Sequence, residues 1–215
     1  MKASGLLMSV PTSSQAFAFL APLRGKVSVF VVPDRRRNAM VAHFVLGCLA
    51  ASKTRTLILD TSSFYGSNVR ALTRSLPVDF LRRSTLVTPR GGERLEGSMA
   101  RTLAAGEAEA VLVDELNALH HVLSSGERGD GTHRAFTFLR LLSYGARNGD
   151  LLVFGTLYRA GTAAERVAKR SLSMAADLQI STGEDRAGRI SFECAQVENW
   201  PGRRFSAPLY LEPST

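Results

Sequence analysis

Acidic and hydroxyl residues follow two apolar, strand-like runs of this chain. Asp114 ends the run that begins at Ala110, and Asp60 ends the run that begins at Thr56, with Ser62 close behind. A carboxylate at the end of such a strand can hold the water shell of Mg²⁺, and a second acidic group can activate water for attack on a phosphate. These positions therefore suggest the chemistry of a nucleotide-hydrolysing site.

The phosphate-binding loop that this chemistry requires is missing from its expected place. The apolar run Val27–Val32 leads into a turn, Pro33–Asn38, and then into a helical pattern over Asn38–Ala51. A phosphate loop, G-x-x-x-x-G-K-[ST], needs glycines so that backbone N–H groups converge on phosphate, and a lysine and a hydroxyl for the phosphate oxygens and Mg²⁺. The turn has no glycine and no such pair, but three arginines, Arg35, Arg36 and Arg37. These could attract an anion at the helix N-terminus, or form a solvated basic turn in which Pro33 or Asp34 shapes the start of the helix.

Composition predicts one globular domain, residues 1–215, with a basic surface. The chain has 215 residues, is 45% apolar, and carries a formal net charge of +8. A basic balance favours an anionic partner, most simply nucleic acid, although an arginine-rich codon bias gives the same composition. No apolar run approaches the roughly 20 residues of a membrane span, and the N-terminus is a poor secretory signal. We therefore expect a cytoplasmic, nucleoid-associated protein without membrane contact.

The order of elements predicts an α/β fold. Apolar strand-like runs alternate with helical patterns as far as Phe154, which is typical of a parallel sheet with right-handed crossovers. Three further strand-like segments then follow one another around turns, at Asp177–Ser181, Ile190–Ala195 and Phe205–Leu211. The prediction is a mixed, mainly parallel central β-sheet with C-terminal antiparallel strands.

This order resembles the core domain of the RecA/RadA strand-exchange recombinases and their paralogs, from about Ser9 to the C-terminus. Thr56–Phe64 resembles the family's second strand, which usually ends Asp-Thr-Glu, and Ala110–Leu119 resembles its Walker B strand. Leu151–Thr156 stands where the family's fourth core strand usually ends in a polar sensor. The tail Ala176–Leu211 resembles its closing strands. The resemblance implies a RecA-like three-layer fold.

The resemblance also makes Asp60, Ser62 and Asp114 remnants of a nucleotide site. In the family the Glu of Asp-Thr-Glu polarises the attacking water, and a serine in that place cannot act as a carboxylate base at neutral pH. Glu115 should point to the other side of its strand. With loop and base both missing, we expect no ATP hydrolysis, no catalytic residues and no cofactor. No His or Cys pattern has metal-ligand spacing, so no metal is expected.

Two loops of the family contact single-stranded DNA, and residues 124–132 and 158–171 correspond to them here. The second loop is basic and opens with an aromatic residue, a composition suited to phosphate contacts and base stacking; a solvated loop is the alternative. The predicted DNA-binding residues are Arg35, Arg36, Arg37, Tyr158, Arg159, Arg166, Lys169 and Arg170.

Together these features predict a pseudo-ATPase paralog of archaeal RadA type that assists homologous recombination and DNA repair. Its expected partners are single-stranded DNA, a recombinase or recombinase paralog, or both, in a homo- or hetero-oligomer. Two other functions stay open. One is a RecA-like protein-interaction regulator such as a cell-division inhibitor, and the other is a residual ATPase with an unusual phosphate loop.

Overall fold

The computed structural model describes residues 11–68, 74–89, 95–124, 131–158, 176–184, 190–196 and 208–210. The strands are β1 Val27–Val32, β2 Thr56–Asp60, β3 Ser84–Val87, β4 Ala110–Asp114, β5 Leu152–Tyr158, β6 Leu178–Glu184, β7 Ile190–Gln196 and β8 Pro208–Tyr210. The helices are α1 Ser13–Leu20, α2 Arg35–Ala51, α3 Phe64–Ser67, α4 Val78–Arg82, α5 Leu95–Ala104, α6 Leu116–Ser124 and α7 Gly131–Gly149, with a 3₁₀ turn at Ala21–Leu23.

These strands form one sheet in the order β3-β2-β4-β5-β1-β6-β7-β8. The pairings from β3 through β6 are all parallel, which confirms an α/β fold built on a parallel sheet. At the far side, β7 pairs with β6 and β8 pairs with β7, both antiparallel. The first of the described strands, β1, therefore lies inside the sheet, between β5 and β6.

The apolar composition of the inner strands follows from helices that cover both faces of the sheet. Every residue of β1, β2 and β4 is buried, so these strands read as continuous apolar runs without an alternating pattern. The edge strand β3 is different, since its residues are half-buried or exposed. In the described ranges no helix is long and apolar enough to cross a membrane.

An aromatic cluster fills the core on the face covered by α1 and α2. Phe30 of β1 lies 5.8 Å from Phe192 of β7 and 6.1 Å from Phe154 of β5, measured between ring centroids. Phe192 also lies 5.3 Å from Phe44 of α2 and 6.0 Å from Phe19 of α1. The cluster therefore joins α1, near the start of the described residues, to β7, near their end.

The opposite face is covered by α5, α6 and α7. Their apolar residues, among them Leu116, Phe138 and Leu142, pack with Val111 and Val153 of the sheet in a second buried cluster. Gly155 of β5 lets α6 approach closely, because a Cβ atom there would stand 2.9 Å from the Leu116 Cδ1 atom. This contact packs the start of α6 directly against β5.

Several elements differ from the sequence prediction. Helices α4 and α6 were not predicted. The sequence pattern over Gly66–Leu76 favours one helix; in the described part of that span, α3 ends at Ser67 and residues 74 and 75 are also helical. Residues 69–73, within the predicted span, lie outside the described ranges. Helix α2 begins at Arg35, three residues earlier than predicted, for the reason given below.

Candidate functional site

The polar residues singled out in the sequence meet at the carboxyl edge of the parallel sheet. Asp60 and Asp114 end β2 and β4 and are register partners. Val32 and Tyr158, which end β1 and β5, are also register partners. In open α/β sheets this edge is where ligands bind, because the loops that follow the strands converge there. We refer to Asn38, Asp60, Ser62, Asp114, Glu115 and Tyr158 together as the polar edge.

The connection between β1 and α2 is too short to wrap around a phosphate. Only Pro33 and Asp34 separate the end of β1 from the first turn of α2. The Asp34 carboxylate caps the helix, since its Oδ1 atom accepts a hydrogen bond of 2.8 Å from the backbone N–H of Arg37. The arginines predicted to lie in a turn are therefore helical. A carboxylate of the protein occupies the helix N-terminus, where an external anion would otherwise bind.

Replacing Asp34 by alanine is expected to lower the free energy of unfolding by about 1 kcal/mol, because the first turn of α2 loses its side-chain cap. Urea denaturation followed by circular dichroism measures this loss. Asp79→Ala is the matched control, since Asp79 is an exposed acid in the first turn of α4, a helix that has no side-chain cap. Equal losses in the two variants would contradict a specific capping role.

Asp114 connects three elements at the centre of the polar edge. It is 2% exposed. Its Oδ2 atom accepts a hydrogen bond from the Ser62 hydroxyl, and its Oδ1 atom accepts one of 3.4 Å from the Asn38 amide of α2. Burial raises the pKa of Asp114 to about 6, helped by the charges of Asp60 and Glu115, while the two hydrogen bonds oppose the shift. The carboxyl group therefore takes up its proton at mildly acidic pH, with a pKa well above the ordinary aspartate value.

Asp60 has a structural task at the same edge. Its Oδ1 and Oδ2 atoms accept hydrogen bonds of 3.0 and 2.8 Å from the backbone N–H groups of Tyr65 and Gly66 at the start of α3. The Asp60 carboxylate thus holds the segment that follows β2 against the sheet. In the part of the chain that the structure describes, no three His, Cys, Asp or Glu side chains come together as a metal site.

Glu115 does not point away from the edge, so that sequence prediction was wrong. Strand alternation does not apply to it, because β4 ends at Asp114 and Glu115 adopts a left-handed backbone with φ of 47°. Its backbone N–H donates a hydrogen bond of 2.9 Å to the Thr156 hydroxyl. Burial raises the pKa of the Glu115 carboxyl, and Arg35 and a hydrogen bond with Ser62 oppose that shift. A carboxylate therefore stands beside Ser62 after all.

Tyr158 is built into the edge and is half-buried. Its backbone N–H donates a hydrogen bond of 3.1 Å to Asn117 Oδ1 at the start of α6. Burial raises the pKa of its hydroxyl to about 12, with a further contribution from the Glu115 charge, and a hydrogen bond with the Asn38 side chain opposes the shift. The predicted DNA-binding residues that follow it, Arg159, Arg166, Lys169 and Arg170, lie outside the described residues.

Asn38 was missed by sequence analysis. It is 1% exposed, and among the described residues its Oδ1 atom has no hydrogen-bond partner. Its backbone N–H bonds to the Asp34 carbonyl at 3.1 Å, so the same helical turn fixes both residues. An asparagine inside an apolar helix is the only signal for it in the sequence.

No protein-family model matches the chain, and no curated protein is significantly similar to it.

Proposed function

We propose that this chain is a RecA/RadA-like accessory protein of homologous recombination and DNA repair that binds single-stranded DNA, a recombinase partner or both, without turning over ATP. The start of α2 is the observation that favours this function most. At the place where a phosphate loop would cradle ATP, only Pro33 and the capping residue Asp34 stand before three arginines. A site of this kind disfavours triphosphate and presents cations at a ligand-binding edge.

The nucleotide side of the proposal follows from electrostatics. The Asp34 carboxylate bonds an N–H group that a phosphate would need, and its charge repels phosphate oxygens. Ser62 binds the Asp114 carboxylate, which in a nucleotide site would bind the water shell of Mg²⁺. Internal hydrogen bonds from Ser62 and Asn38 therefore occupy the Asp114 carboxylate.

The DNA side of the proposal rests on charge at the same edge. Arg35 and Arg36 are exposed and Arg37 is half-buried, all in the first turn of α2. Arginine suits phosphate because its planar guanidinium donates paired hydrogen bonds. The +8 net charge of the chain supplies a long-range attraction in addition.

Changing Arg35, Arg36 and Arg37 together to alanine is expected to weaken binding of a fluorescein-labelled oligo-dT about tenfold or more at low salt. The plot of log affinity against log salt should also become shallower, by about 0.7 for each phosphate that the variant no longer neutralises. Fluorescence anisotropy between 50 and 200 mM salt, roughly the range over which phosphate contacts dominate, measures both. The control variant changes Arg55, Arg82 and Arg101, three exposed arginines elsewhere in the described chain.

If the α2 triple variant and the control triple variant weaken DNA binding equally, the net charge of the protein explains the binding and α2 is not the contact site. If the wild type binds no single-stranded DNA at low salt, direct DNA binding is wrong. The recombinase partner is tested separately, by size-exclusion chromatography of this chain mixed with a purified RadA-type recombinase.

One observation favours a second function, that of a residual ATPase. Glu115 supplies a carboxylate beside Ser62, in the region where a recombinase has its water-polarising glutamate. Titration calorimetry with Mg-ATP distinguishes the two proposals. We expect no heat of binding at micromolar protein; micromolar affinity that is abolished by Asp114→Ala would establish a nucleotide site at this edge and overturn the first proposal.

A further inference from the structure

Helix α7 presents an exposed stripe that contains cations and an aromatic ring but no acidic residue. The stripe occupies every third or fourth position, so its members share one face of the helix. Its residues are all exposed: His133, Thr137, Arg140, Tyr144, Arg147 and Asn148. The opposite face of α7 packs in the apolar core through Phe138 and Leu142. We refer to the six exposed residues as the α7 stripe.

Tyr144 is the unusual member, since it is 71% exposed. A large aromatic ring this far out of the core gains nothing from burial, and its flat face is open to a partner. Arg140 stands one turn before it and Arg147 one turn after it. A ring between two cations on a helix matches the elements that bind single-stranded nucleic acid, where bases stack on aromatic rings and phosphates meet cations.

The two arginines are held in place by neighbours. The Arg140 guanidinium lies over the Phe136 ring, 5.0 Å from its centroid. Arg147 Nη2 donates a hydrogen bond of 2.7 Å to Asp177 Oδ1, and the other oxygen of Asp177 accepts one of 2.8 Å from the backbone N–H of Val27. A guanidinium carries five N–H donors, so the single Asp177 contact leaves others to reach a phosphate. Anchored cations lose less side-chain entropy on binding than free ones.

Helix α7 itself contributes no carboxylate that would repel an anion. The helix has 19 residues and includes three arginines and one histidine but no Asp or Glu. At its C-terminal end, Asp150 pairs with Arg24 at 3.3 Å and Asp177 pairs with Arg147. Each of these two carboxylates therefore pairs with one arginine at the C-terminal end of α7. Arg140 and Tyr144 lie closer to the N-terminal end of the helix.

We propose that the α7 stripe is a second binding surface for single-stranded DNA, separate from the α2 arginines, with a base stacked on Tyr144 and phosphates on Arg140 and Arg147. The choice of single-stranded DNA as the ligand rests on the proposed function. The stripe lies on the helical layer opposite to α2. A single strand fits it better than a duplex, because the base pairs of a duplex are stacked on one another and cannot offer a face to a side chain.

Anisotropy with two oligonucleotides of equal length, one of dT and one with abasic sites throughout, tests this surface. Tyr144→Ala is expected to weaken dT binding about tenfold, as stacking of one base contributes on that scale, and to leave abasic binding unchanged. Tyr144→Phe should bind as the wild type does, because it keeps the ring. Arg140→Gln should weaken binding of both oligonucleotides and make the salt dependence shallower.

Two control variants come from the other helical layer. Phe17→Ala removes a ring that is 73% exposed on α1, and Arg82→Gln removes an exposed cation of α4. Both should bind as the wild type does. Thermal melts check that Tyr144→Ala is folded, which its exposure leads us to expect.

The outcomes separate this inference from the proposed function. If the α2 triple variant weakens binding while Tyr144→Ala and Arg140→Gln do not, the α7 surface is wrong and the proposed function stands. If Tyr144→Ala weakens dT binding and the α2 triple variant does not, the α7 stripe is the contact surface in place of α2. Equal losses on dT and abasic strands for Tyr144→Ala would overturn base stacking. Absence of any binding by the wild type would overturn both proposals.

Discussion

Replacing Phe192 by alanine is expected to lower the free energy of unfolding by about 3–5 kcal/mol, the usual cost of removing a buried phenylalanine. Phe192 is 1% exposed, and its ring lies against those of Phe19, Phe30 and Phe44. The loss has two parts. The variant gives up the free energy gained by burying the ring, and the surrounding helices and strands cannot close the cavity that the ring leaves. Urea denaturation followed by circular dichroism gives the measurement.

Phe17→Ala is the control for Phe192→Ala, because the same ring is removed from an exposed position of α1. Its cost should stay within about 0.5 kcal/mol, as for most surface substitutions. A loss below about 1 kcal/mol for Phe192→Ala would show that β7 does not belong to the core and that the aromatic cluster closes without it.

Asp114→Asn is expected to gain stability relative to the wild type as pH rises from about 4 to about 7. Burial raises the pKa of Asp114 from 3.8 to about 6 in the folded protein. A raised folded pKa means that the native state holds its proton more tightly than the unfolded state does. The stability from this group is therefore complete below pH 4 and is lost as the pH rises through about 6.

The size of this effect follows from the shift, on the order of 3 kcal/mol between the two ends of the range. Asparagine stays neutral and can still accept a hydrogen bond from Ser62, so the variant should lack this loss. Unfolding free energies at several pH values give the difference between variant and wild type. Asp79→Asn, at an exposed position, should show no such trend. A pH-independent difference for Asp114→Asn would mean that folding does not raise the pKa of this carboxyl.

The parallel sheet was predictable because its strands are buried on both faces. Runs such as Val27–Val32 cannot alternate when helices cover each side, so the sequence itself marks them. The meeting of Asp60 and Asp114 was also predictable, since the carboxyl ends of parallel strands share an edge. Local patterns of this kind need no knowledge of distant contacts.

The features that were not predicted from the sequence depend on contacts between residues distant in the chain or on single backbone angles. The sequence offered Pro33 or Asp34 to shape the start of α2, but it did not show that an Asp34 cap would begin the helix as early as Arg35. The inward position of Glu115 depends on one left-handed φ angle immediately after β4. Tyr144 is hidden in the sequence because its helix pattern contains apolar residues on both sides of it, and only the structure shows which face is exposed.

The position of β1 inside the sheet has a consequence for synthesis of the protein. Val27 pairs with Val153 and Ser28 with Leu178, so β1 is synthesised well before the two strands that flank it in the sheet. Until β5 and β6 have been synthesised, the apolar residues of β1 can contact only non-native segments of the chain or a chaperone. Such long-range pairing is slow, and it exposes unpaired strand edges that promote aggregation. We expect a chain that ends before β6 to be insoluble, because β1 would then lack its neighbour on one side.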